Sequence, residues 1–251
     1  MASTDPVAQA WLTAREEGRF EDMLHMLQEA MRAGDAGTPV PGMSVFIAMF
    51  NWEVLIGDYP PARAALTALR DAYTRRLLAG DDDFPSLNPY LPPSRFKIIA
   101  EMNERLGDEG ATHALFVQVE ARSADAGRRN AIFALPAIVA AGDFALAERY
   151  LPDPLWQVPQ LNATAKHWPL YPPPHQAPRL AAELSGIMKA VHMRAAALDG
   201  LGRAGEAQAL REAALAAIDA DALRTAAARE LAAPGTITRE VVERQMAAEQ
   251  S

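Results

Sequence analysis

Three groups of residues in this chain have types and spacings that chemistry uses. Gly200-Leu201-Gly202-Arg203-Ala204-Gly205 has the GxGxxG spacing with which a strand-to-helix turn offers backbone amides to a pyrophosphate. Its context does not suit that use, because residues 181–199 read as helix and no alternating strand precedes the glycines. An interhelical turn is expected there. Asp81-Asp82-Asp83 supplies clustered carboxylates of the kind that hold Mg²⁺ or Ca²⁺. The stretch lacks the further oxygen-ligand spacing of a calcium loop, so a solvated acidic loop is expected. The five histidines, His25, His113, His167, His175 and His192, form neither an HExxH motif nor a local helical ligand pair. No metal site and no cofactor are therefore expected. No serine lies in a GxSxG elbow, which leaves nucleophilic hydrolysis without support.

The remaining chemical candidates lie in one stretch. Residues 151–180 are proline-rich and carry His167, Trp168, Tyr171 and His175, which together could line a ligand or proton-transfer pocket. The competing reading is a rigid strap that packs Trp156, Trp168 and Tyr171 over neighbouring helices. No catalysis is expected on balance, with an enzyme or small-molecule site under this loop as the alternative.

Composition bounds the class of protein. The chain has 251 residues, 50% hydrophobic and 22% charged, enough apolar material to bury a core. Alanine is abundant and alternating apolar/polar segments are scarce, which argues for an all-helical protein. A formal charge of −8, without a basic tract, disfavours nucleic acid and anionic membranes as partners. With no cysteine there is no disulfide framework, thiol nucleophile or Cys-based metal site. MASTDPVAQAWL at the start lacks the pattern of a signal peptide. The longest apolar run, 131–142, is about half of the ~20 residues a membrane span needs. A cytoplasmic location is expected. With Pro136 inside it, that run reads as a kinked, buried helix.

The elements that must position these residues follow one grammar. Gly18, Gly57, Gly107, Gly142 and Gly202 each separate two helical runs, at spacings of 39, 50, 35 and 60 residues. Each is expected at an interhelical corner. At the second of them, Gly57 is expected in a left-handed conformation, Asp58 as a cap, and Pro60 and Pro61 in the next helix's first turn. Ala62, Leu66, Leu69 and Tyr73 then form one apolar stripe. The grammar places hairpins at 6–33, 42–78, 94–123, 128–151 and 178–218, with two capping helices within 219–249, all in a single domain spanning 1–251.

GDYPPA at 57–62, GDFALA at 142–147 and GRAGEA at 202–207 resemble the tetratricopeptide repeat family, in degenerate form. Phe46 and Phe96, and Ala100 and Ala195, match its large-aromatic and small-residue positions. Phe50 and Leu135 depart from the small-residue position. The resemblance implies an α-solenoid of about five stacked hairpins, a right-handed superhelix whose first helices line a concave groove. On its groove-facing offsets fall Asn51, Lys97, Glu101, Arg129, Lys189 and His192. It further implies a protein- or peptide-binding scaffold, with basic groups suited to an acidic partner or a C-terminal carboxylate, and leaves homo-oligomerisation open.

Overall fold

The computed structural model describes residues 6–85 and 94–249, and it is helical throughout them, with no strand. The middle of the proline-rich connection at 84–96 lies outside the described residues. The helices are α1 (Pro6–Glu16), α2 (Phe20–Asp35), α3 (Val45–Asp58), α4 (Pro60–Leu78), α5 (Arg95–Leu106), α6 (Glu109–Arg122), α7 (Ala124–Ala140) and α8 (Phe144–Tyr150). A 3-10 turn at Pro154–Gln157 leads into α9 (Val158–Ala165), followed by α10 (Arg179–Gly200), α11 (Ala204–Ala216), α12 (Asp221–Ala232) and α13 (Thr236–Glu249). Helix pairs that pack on each other fall in four of the expected hairpin ranges, α1–α2, α3–α4, α5–α6 and α10–α11, and α7 and α8 occupy the remaining range. No helix among the described residues is long and apolar enough to cross a membrane.

Four of the five corner glycines take the left-handed conformation. Gly18, Gly107, Gly142 and Gly202 have φ of 68°, 67°, 75° and 77°. At Gly202 this lets the Arg203 amide donate back to the Leu198 carbonyl at 2.9 Å, closing the end of α10. GLGRAG is thus an interhelical turn. Gly57 is the exception. It lies inside α3 with its neighbour Asp58, and Tyr59 makes the corner with extended backbone, φ −139° and ψ 95°. Pro60 and Pro61 explain why: the residue before a proline is driven out of helical conformation, so the chain turns without a left-handed glycine. Asp58 therefore does not cap α4.

The chain forms two compact units, Met1–Ala137 and Ile138–Ser251. In unit 1 successive helices from α1 to α6 pack on one another, and α3 also packs on α5. Trp52, Leu55, Leu66, Phe96, Ile99 and Phe116 are fully buried there. Gly34 permits the closest approach, since a Cβ at that position would collide with the Val45 side chain.

A buried arginine ties the connections of this unit together. The Arg95 side chain is 2% exposed. It donates to Asp35 Oδ1 at 2.9 Å, Asp81 Oδ1 at 3.0 Å, the Asp81 carbonyl at 2.9 Å and the Asp83 carbonyl at 2.7 Å. Its guanidinium also lies over the Tyr73 and Phe84 rings, 5.2 and 5.8 Å from their centroids. Arg76 pairs with Asp35 and Asp81, while Arg122 and Arg129 pair with Asp82. Asp81 and Asp82 are thus ion-paired staples, where the sequence pointed to a solvated acidic loop. Burial pushes the Asp81 carboxyl up, but hydrogen bonds and charge from Arg95 and Arg76 outweigh it and hold it below the usual range.

Unit 2 is built around α10, which packs against α8, α9, α11, α12 and α13. Leu184, Met188, Val191, Leu223, Ala227 and Ile237 share one apolar core. The two C-terminal helices therefore pack on the last hairpin, as the sequence suggests. The turn between them is fixed by Glu230, 5% exposed, which accepts from Ser185 Oγ at 3.2 Å, Gly235 N at 2.9 Å and Ile237 N at 2.8 Å.

Candidate protein-binding face

The candidate face is built on α3. This helix, VFIAMFNWEVLIGD, has polar side chains only at Asn51, Glu53 and Asp58. Ser44 starts it, its Oγ accepting from Ile47 N at 3.4 Å. A helix apolar around its whole circumference is normally covered on all sides. Here Ala48, Met49, Trp52 and Leu55 are buried, while Phe46, Ile47 and Phe50 are 82%, 40% and 59% exposed. Phe46 and Phe50 lie one turn apart on the outer face.

The register of α5 beside this face follows from contacts at both ends. Gly34 lies against Val45 at the start of α3, and the next residue, Asp35, pairs with Arg95 at the start of α5. Near their C-terminal ends, Glu53 of α3 pairs with Arg105 of α5 at 3.2 Å. The two helices run parallel, with Lys97 and Glu101 about level with Phe46 and Phe50. Lys97 Nζ lies 2.9 Å from Glu101 Oε1, both side chains 30% exposed.

The residues expected on the groove therefore divide. Asn51 is 9% exposed and donates to Met43 Sδ at 3.4 Å, so it faces the core and its place on an open groove is corrected. The i+4 and i−1 geometry of the helix gives the outer face to Phe46 and Phe50 instead. Lys97 and Glu101 are on the surface but satisfy each other. Arg129 on α7 reaches Asp82 at 3.4 Å. Lys189 and His192 are exposed on α10 in unit 2, three positions apart on the helix surface.

The second set of candidates does not converge either. Within 151–180 the chain forms the 3-10 turn and α9, leaving residues 166–178 as the irregular segment. Tyr171 donates to Glu240, which also pairs with Arg229 at 2.9 Å, and Arg244 stacks 4.0 Å from the Tyr171 ring centroid. Burial first, then the Glu240 carboxylate, pushes the Tyr171 phenol up. Arg179 lies over Trp168 at 5.7 Å, leaving that indole 43% exposed, and Trp156 is 66% exposed. Only Tyr171 of the three aromatics is a packed anchor of the strap. His167 and His175 are exposed, and His175 takes a left-handed φ of 66°.

Two surface features were not anticipated from the sequence. Ile132 of α7 is 71% exposed, and Pro136 is exposed too, so the 131–142 run is buried on one side only. An open depression of about 400 Å³ in unit 2 is lined by Leu155, Val158, Pro159, Asn162, Lys166 and Asp219, among others. The Asn162 amide group there serves the fold, donating to the Ala217 carbonyl at 2.9 Å and accepting from Asp219 N at 3.1 Å. Among the described residues no group of three or more His, Asp or Glu side chains is arranged to hold a metal ion. Compared with known families, curated proteins and solved structures, the chain matches none.

Proposed function

We propose that this chain is a non-catalytic protein-binding scaffold of the tetratricopeptide-like class, its hairpins stacked as a right-handed α-solenoid. Its recognition face lies on the first helices of its second and third hairpins, α3 and α5. The observation that carries this reading is the uncovered half of an otherwise buried apolar helix, with Phe46 82% and Phe50 59% exposed. Contiguous exposed apolar residues beside polar ones are a common mark of protein-protein contact, and aromatic side chains supply most of the energy in such contacts. Lys97 and Arg129 are already engaged by Glu101 and Asp82, so apolar anchors lead the contact and a partner carboxylate does not.

The test is cross-linking capture from a lysate supplemented with untagged parent chain, using the tagged parent, Phe46→Glu/Phe50→Glu, and Gln118→Lys on α6 as a substitution outside this face. The double variant is expected to lose captured protein by about tenfold or more, as removal of hot-spot residues does. Gln118→Lys should capture as the parent does. Equal capture by the parent and the double variant would sink the scaffold reading for this face.

A further inference from the structure

We infer that the partner of this face is a second copy of the same chain, docked about a two-fold axis that lies across α3 and α5. This rests on the reading of the face as a protein-binding surface, and it follows from how the face is charged. On the α5 side the charges beside the apolar stripe are answered within the chain: Lys97 by Glu101 at 2.9 Å, and Glu53 by Arg105 at 3.2 Å. That side of the stripe therefore presents a locally neutral border in a chain of net charge −8. A strongly acidic or basic partner gains nothing from such a border, whereas two copies can approach there without repulsion.

The order of the charges sets the geometry. An in-plane two-fold perpendicular to the helices, passing between Phe46 and Phe50 and between Lys97 and Glu101, lays each helix antiparallel on its counterpart. Phe46 then meets the second copy's Phe50, and Lys97 meets the second copy's Glu101. Each ammonium gains a second carboxylate across the axis while keeping its own. A two-fold parallel to the helices would instead lay α3 on the second copy's α5, setting the phenylalanines against the charged border. Only the antiparallel docking makes the apolar stripe and the charged border complementary together.

Light scattering and sedimentation of the full chain across concentration test this. The mass is expected to rise from 27.1 kDa toward twice that value. Phe46→Glu/Phe50→Glu should remain at the monomer mass with its helical circular dichroism unchanged. Lys97→Glu surrounds the axis with four carboxylates and should weaken association about tenfold or more. Adding Glu101→Lys to it reverses the pair, keeps it complementary across the two-fold, and should restore association. The chain has no cysteine, so an equal mixture of Phe46→Cys and Phe50→Cys chains should oxidise preferentially to the mixed dimer, which decides the matter even if the double glutamate variant misfolds. A single 27.1 kDa species at every concentration would overturn the inference. Association unaffected by the double variant, or cross-linking without preference for the mixed dimer, would do the same. A monomeric chain whose lysate capture still depends on Phe46 and Phe50 defeats the two-fold alone and leaves the scaffold standing.

Discussion

Each unit pins an irregular connection with a tyrosine, arginines and a carboxylate, but in opposite surroundings. In unit 1 the connection after α4 is held by Arg95, 2% exposed, between Asp35, Asp81 and the rings of Tyr73 and Phe84. In unit 2 the strap before α10 is held by Tyr171 on Glu240, with Arg229 48% and Glu240 25% exposed. A charge taken out of water must be compensated by hydrogen bonds, and Arg95 makes four of them to three aspartates. The wet cluster can lose a member and let water replace it. The same residue types thus fix a geometry in one place and only fasten a surface in the other.

Cutting the buried cluster should have the largest effect. Arg95→Met removes the buried one of the two cations that Asp35 and Asp81 share, while Arg76 still pairs with both nearer the surface, so a cost at the low end for a broken buried pair, about 3 kcal/mol, is expected. Urea unfolding followed by circular dichroism checks this, and a loss below ~1 kcal/mol would show that water reaches the site.

Next in size is an alkaline transition. Tyr73 is 4% exposed, and burial, then the Asp35 charge, push its phenol up to about 12. A raised folded-state pKa means the stabilising contribution is whole below the ordinary value near 10 and is lost as pH rises from there through about 12. Unit 1 should therefore weaken by roughly 2 kcal/mol across that window. Tyr73→Phe should flatten the slope, and also remove the hydrogen bond to the Met31 carbonyl at 3.3 Å. An unchanged slope in Tyr73→Phe would assign the transition to another group.

Tyr171→Phe should be the mildest change. It removes the bond to Glu240 but keeps the ring under Arg244, so a loss of about 0.5–1 kcal/mol is expected in thermal unfolding. A loss as large as that of Arg95→Met would erase the contrast between the two clusters.

Much of the fold was legible because its signals are local. Helical periodicity and the left-handed glycines at 18, 107, 142 and 202 act within one turn of chain, so the helices and these corners could be read directly. Gly57 was misread for a reason also local, since the two prolines after Tyr59 relocate the corner.

The candidate face was legible only in part. The composition of α3 already contains the signal, an apolar helix with three polar side chains, but composition does not say which side neighbours cover. By sequence alone Phe46 reads as a packing aromatic like Phe96; in the structure Phe96 is fully buried and Phe46 is 82% exposed. The sequence by itself determined the helices, their corners and the acidic, cysteine-free character of the chain. Tertiary structure decided that Asn51 turns inward, that Asp81 and Asp82 are ion-paired, and that Phe46 and Phe50 are left uncovered. Those outcomes depend on which segments meet in space, in places across 40 or more residues of chain, as in the pairing of Asp35 with Arg95 and of Asp82 with Arg122, and periodicity within one helix carries no record of its neighbours.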